Sequence, residues 1–359
     1  MAISMEVIAF FLLLFISTRK YKMNMYFRFL PYLILFLFMA IRFDYGDGKE
    51  YRTMFYYLHE GISTTKAEGI EPLYAWLNRI LPSFEWVIII TSLIYVFAFY
   101  LIISRSLSYQ QRGLGLLIMA IHPYILMVDM SAVRQSVAIA LIIIGVYIAN
   151  SYKRIYYVPF CILAALFHKS AIVMLPVVFL FGKRHFSTLS KCIIFGGTMF
   201  FFLLPGKLFQ LVETVMPAVG LDSANYLSYL YNGNENGSLA VLLSFMTMAF
   251  FLLCGDAVDE KYAIYVKMSV LAMLFEALQG KIQQFGRVDM YFLPFLALSL
   301  PMILKRNVKS LEIRVFRNSF LLNPTGCWIV EICFIAVFAW KLVGFMTPQF
   351  AYYSIFTAN

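Results

Sequence analysis

Apolar runs of membrane-crossing length recur from one end of the chain to the other, separated by short basic, polar or turn-rich segments. Crossing ~30 Å of hydrocarbon takes about 20 residues in a helix. On that measure the pattern predicts spans near 2–18, 27–42, 85–104, 113–129, 131–150, 155–182, 189–206, 238–255, 262–280, 287–304 and 327–345. The expected fold is all-α and polytopic, with about 11–12 transmembrane helices. The first run follows Met1 to Met5 with no basic segment before it and no small-residue cleavage pattern after it, so it is expected to be retained as a span.

Composition sharpens the picture. Of the 359 residues, 62% are hydrophobic and only 13% charged, against roughly 45–50% and about 25% in soluble domains. With so little polar surface and no polar half set apart, the chain reads as one transmembrane domain, 1–359. The net charge of +10 does not point to nucleic acid, because the basic residues sit in clusters between apolar runs rather than in a polar stripe. Cys161, Cys192, Cys254, Cys327 and Cys333 are odd in number and form no C-x-x-C, so neither a disulfide framework nor a zinc site is expected.

The basic clusters set the orientation. Arg19, Lys20, Lys22 and Arg28 follow the first span, which puts that loop in the cytoplasm and the N-terminus outside. The run from Ile155 to Phe181 is long for one crossing and is interrupted by Phe167, His168, Lys169 and Ser170. A single crossing would also place Lys183, Arg184 and Lys191 outside. A broken or re-entrant helix pair over 155–182 removes both difficulties and puts His168 towards the outer face. Two outer segments, 43–84 and 207–237, are long enough to carry function; a plain connector is the bland reading of each.

Ionisable groups within or beside spans are costly and mark pathways, sites or internal pairs. Arg134, followed by Gln135, lies just inside an outward helix end, where a snorkelling arginine is the neutral alternative. His168 sits at the proposed break, where a structural histidine is the neutral alternative; broken helices at membrane depth face protein or a water-filled cavity. Arg287 also marks an outward helix end, and Asp289 two residues on does not face it on a helix. Arg42, Asp44, Asp47 and Glu71 belong to the first outer segment, and a solvated loop is their simplest account. Separate segments thus deliver Arg42, Asp47, Arg134, His168 and Arg287 to one side of the membrane. Guanidinium forks suit phosphate or diphosphate, and aromatic faces suit sugar rings or isoprenoid chains. A sugar carried on a lipid diphosphate would use both.

Several motifs resemble the EpsG and O-antigen polymerase (Wzy) group of polysaccharide polymerases, in order, from about residue 25 to 355. They are Arg42-Phe43-Asp44-Tyr45-Gly46-Asp47 with Tyr51 and Phe55, Glu71-Pro72-Leu73, Arg134-Gln135 with Ala138, Phe167-His168-Lys169-Ser170-Ala171, and Arg287 with Tyr291-Phe292. The first motif departs from the family pattern: one residue is missing between Gly46 and Asp47, and Gly48 stands where Tyr is usual. Asp44 and Asp47 therefore compete as the family aspartate.

The resemblance implies a GT-C-like fold, no metal or other cofactor, and a metal-independent glycosyltransferase joining undecaprenyl-diphosphate-linked oligosaccharides at the periplasmic face of a bacterial inner membrane. Membrane lipids are further partners, and a chain-length regulator is compatible with the pattern. Arg134, His168, Arg287 and Asp47 are the expected catalytic residues. Arg42, Asp44, Tyr51, Glu71, Gln135 and Tyr291 are expected in substrate binding. A flippase for lipid-linked oligosaccharides and a membrane acyltransferase are the alternatives. The first needs polar groups along both leaflets, and the second needs a donor site on the cytoplasmic side.

Overall fold

The structure is a computed structural model that describes residues 11–12, 29–62, 69–182, 184–215, 238–282, 284–304, 311–315, 318–322 and 324–345. Most of the first expected span, the basic segment after it, and residues 216–237 of the second outer segment lie outside the described residues. The helices are α1 (Leu30–Ala40), α2 (Gly48–His59), α3 (Pro72–Ile80), α4 (Phe84–Ser106), α5 (Tyr109–Ile121), α6 (Pro123–Ser131), α7 (Val133–Ser151) and α8 (Tyr157–Phe167). A 3-10 segment, Lys169–Leu180, follows, and then α9 (Thr188–Leu203), α10 (Pro205–Val215), α11 (Ser238–Cys254), α12 (Ala263–Leu278), α13 (Gln284–Asp289), α14 (Leu296–Ile303) and α15 (Pro324–Phe345).

Among the described residues four helical stretches are long and apolar enough to cross a membrane: Phe84–Ser106, Val133–Ser151, Leu239–Ala257 and Thr325–Gly344. Two bent pairs, α5 with α6 and Thr188–Leu203 with Pro205–Leu211, raise the number to six. The protein is therefore an all-α polytopic membrane protein. The first bend corrects the expectation of an unbroken span at 113–129, and the second falls at the end of the span expected at 189–206. They measure 50° and 106°, and each falls where a proline opens the second helix, at Pro123 and Pro205. Proline has no N–H to give the preceding turn, and its ring displaces the carbonyl four residues back, so it is at home only in a first turn.

The run at 155–182 doubles back as expected. Helix α8 ends at His168, whose backbone is extended. Beyond it, Tyr157 Oη donates to the Met174 carbonyl at 2.9 Å, Cys161 Sγ lies 3.4 Å from the Ala171 carbonyl, and the Tyr157 and Phe181 rings are 5.4 Å apart. Early residues meeting late ones in this order describe a hairpin with its tip at His168. The return arm carries Pro176 in its interior and runs as a 3-10 helix.

One short element departs from the helical plan. Strands β1 (Leu311–Val315) and β2 (Asn318–Leu322) pair antiparallel, Ile313 opposite Phe320. The apolar/polar alternation Leu311-Glu312-Ile313-Arg314-Val315 is the period-two signal for it.

The chain divides into two compact units, Met1–Phe181 with Leu300–Asn307 and Trp328–Asn359, and Gly182–Ser299 with Val308–Cys327. In the first, α1 and α7 pack on α4, and α8 packs on α7. In the second, α12 packs against α11 and α13. The α7–α8 crossing depends on Gly145, where an added Cβ would stand 2.7 Å from Phe160 Cβ. Gly145→Leu is expected to cost about 1–3 kcal/mol by overpacking. Gly197→Leu, at a helical glycine with no neighbour within 4 Å, is expected to leave the thermal midpoint in detergent within error.

Candidate functional site

The first outer segment folds into two short helices over an apolar floor. Phe55 of α2, Tyr74 and Leu77 of α3, Phe84, Val87 and Ile88 of α4, and Val133 of α7 form one buried cluster, with Tyr51 and Phe167 packed against it. Each large apolar side chain removed from water there is worth about 1.5–3 kcal/mol, which fixes the positions of the polar groups above. Pro72 opens α3 and holds the preceding Glu71 in an extended conformation.

Glu71 is the centre of the arrangement. Its side chain is only 5% exposed. Oε2 accepts from Arg134 Nη1 at 2.6 Å, and Oε1 accepts from the Lys169 backbone N–H at 3.0 Å. His168 Nδ1 stands 3.4 Å from Oε1. Burial alone would raise the Glu71 carboxyl, but His168, the Arg134 charge and the Lys169 N–H outweigh it and bring its pKa down to about 2. Arg134 does not snorkel: it is tied to Glu71, and its guanidinium lies 5.7 Å from the Tyr51 ring centre and 6.0 Å from that of Tyr74. Burial raises the Tyr51 hydroxyl above its usual range, with Arg134 opposing the shift, so Tyr51 is a neutral donor at neutral pH.

His168 Nδ1 and Nε2 and Arg134 Nε are buried without a hydrogen-bond partner among the described residues, Nδ1 being the ring nitrogen nearer to Glu71. The Arg134 charge is largely balanced by Glu71. The neighbouring cation, Lys169, is exposed and reaches the Gly69 carbonyl at 3.4 Å. The group therefore combines one ion pair, one imidazole with an open nitrogen and one cation at the rim.

The two rival aspartates separate clearly. Asp44 is committed to Arg52, 3.0 Å from its Nε, while Arg52 Nη1 reaches Glu85 Oε1 at 2.6 Å. Asp47 is exposed, stands at the N-cap position of α2 without a side-chain capping hydrogen bond, and is one of the charges acting on Tyr51. Its backbone N–H donates to Ser131 Oγ at 3.1 Å. That closeness demands Gly46: its φ is +57°, and an added Cβ would come within 2.2 Å of Ser131 Oγ. Arg52 and Glu85 were not among the expected site residues, and no local spacing links them to Asp44.

Arg42 is buried and donates to Ser92 Oγ at 2.9 Å and to the Met39 carbonyl. Gln135 is buried beside Arg134 in sequence. Arg287, exposed on α13, and Tyr291, buried, belong to the second unit. The first unit thus gathers Tyr51, Glu71, Arg134 and His168, with Asp47 at their edge.

The model of the EpsG family matches residues 25–355. No curated protein and no solved structure matches the chain.

Removing Arg134 strands a buried carboxylate. Arg134→Ala is expected to destabilise the protein by about 3 kcal/mol, and adding Glu71→Gln should recover most of that loss in detergent melts. The Glu71 carboxyl is held below its ordinary value of 4.5, so its contribution to stability is full above that pH and disappears as pH falls towards about 2. The melting point of Glu71→Gln should lack this acid component.

Proposed function

The chain belongs to the EpsG family, and on that premise we propose that it is an O-antigen polymerase. It joins undecaprenyl-diphosphate-linked repeat units into long polysaccharide at the periplasmic face of the inner membrane. The observation that carries this reading is the Glu71, Arg134 and His168 group at the tip of a helical hairpin, in a chain matched to the family almost end to end. Trp76 of α3 and Trp86 of α4 are 56% and 49% exposed, and tryptophan is the residue type that gathers at membrane–water boundaries.

The donor is the growing chain on its lipid diphosphate, and the acceptor is a sugar hydroxyl of a single lipid-linked unit. His168 Nε2 takes the hydroxyl proton as the acceptor oxygen bonds to the anomeric carbon. The bond from that carbon to the diphosphate oxygen breaks, and its electron pair leaves with the lipid diphosphate. Negative charge grows on the leaving oxygen, where a fixed guanidinium in a low-dielectric site is most effective. Arg134 supplies it, with its Nε–H free of partners among the described residues. Asp47 orients the acceptor and Tyr51 contributes to binding; the binding roles of Arg42, Asp44, Gln135 and Tyr291 rest on the family motifs alone, Arg42 being held by Ser92 and the Met39 carbonyl and Asp44 by Arg52. The role of Arg287 as a further cation rests on the family motif.

Loss of the gene should leave lipid A core bearing a single repeat unit. A transport defect would leave none outside. His168→Asn, Arg134→Lys and Arg287→Ala should each lose the long-chain ladder on lipopolysaccharide gels while the protein accumulates normally. An unchanged ladder in His168→Asn or Arg134→Lys would return that residue to a structural role.

A further inference from the structure

Glu71 falls among the expected binding residues, but its surroundings leave little for a substrate to hold. Its side chain is 5% exposed, Oε2 is taken by Arg134 at 2.6 Å and Oε1 by the Lys169 N–H at 3.0 Å, and His168 Nδ1 stands 3.4 Å from Oε1 without yet bonding to it. Both side chains assigned to the reaction lean on one carboxylate. We propose that Glu71 is a positioning residue that sets the tautomer and orientation of His168 while fixing Arg134, so that base and cation are held as one unit. The proposal rests on the polymerase reading and assigns Glu71 a role within it.

The chemistry follows from the imidazole. Beside a carboxylate the ring carries its hydrogen on Nδ1, pointing at Oε1. That leaves the lone pair on Nε2, on the far side of the ring. Nε2 has no partner among the described residues, which is what a base awaiting a hydroxyl requires. The 3.4 Å separation is longer than a formed hydrogen bond, and such contacts commonly tighten when substrate closes the site. The Lys169 N–H shows why the carboxylate is aimed at the tip: it is the first free amide after α8 stops at His168, and its bond to Oε1 ties the hairpin to the start of α3. The charged and titratable groups around His168 are Glu71 from α3, Arg134 from α7, Lys169 from the return arm, and Tyr51 and Tyr74, which face Arg134.

The test is a pH series of polymerisation rates with purified protein in lipid vesicles and lipid-linked repeat units. Glu71→Gln should lower kcat roughly 10²–10⁴-fold, the usual worth of a positioned base, with KM within about twofold. Loss of the carboxylate charge beside the imidazole should also move the acid limb of the profile to lower pH. Glu71→Asp keeps the charge on a shorter arm. It should lower kcat less and leave the acid limb in place, and it serves if the Gln variant does not accumulate. A higher KM with kcat and profile unchanged would make Glu71 a binding group and overturn the proposal. A fall in kcat with the acid limb unmoved in Glu71→Gln would make it structural and also overturn it. If instead His168→Asn polymerises like wild type, the base assignment itself fails.

Discussion

One buried carboxylate holds the functional end of the first unit together. Glu71 joins three parts of the chain far apart in sequence: the start of α3, the start of α7, and the tip of the hairpin. Burying a charge is tolerable only when its lone pairs are matched, and here an arginine, a backbone amide and an imidazole share that work. The hydrophobic floor of α2, α3, α4 and α7 sets the distances between those parts, because side chains packed to native density leave the polar groups above them little freedom.

This pairing changes the electrostatic picture that composition alone suggests. A chain with net charge +10 and arginines at several helix ends invites a picture of free cations clustered around a phosphate. In the structure Arg134 is neutralised by Glu71, Arg52 by Asp44 and Glu85, and Arg42 is sunk among Ser92 and a backbone carbonyl. On the proposed reaction, what Arg134 would offer an anionic leaving group is a guanidinium fixed in place, with stabilisation arising from preorganisation more than from excess charge. Aromatic faces of Tyr51 and Tyr74 restrain it further.

Much of this is legible in the residues, for identifiable physical reasons. The hairpin at His168 is readable because a polar interruption in an overlong apolar run can be housed at membrane depth only where the backbone turns towards protein or water. Asp47, Tyr51, Arg134 and His168 stand out as costly or motif-borne polar residues. What stays hidden is partnership. Nothing local connects Glu71 to Arg134 and Lys169, or Arg52 to Asp44 and Glu85, since those contacts exist only after helices pack. The bends at Pro123 and Pro205 carry a signal in the prolines themselves, masked by uniformly apolar surroundings. The β1–β2 hairpin carries one in its alternation.

On the proposed reaction, a guanidinium and an imidazole held by one carboxylate surround a lipid-linked diphosphate. The most direct measurement is a structure of the protein in lipid nanodiscs with an unreactive lipid-diphosphate sugar bound. The expected result is phosphate oxygens about 3 Å from the Arg134 guanidinium, His168 Nε2 turned to the sugar side, and the Glu71 contacts intact. A diphosphate seated away from Arg134, with that side chain still closed on Glu71 and His168 facing only protein, would contradict it.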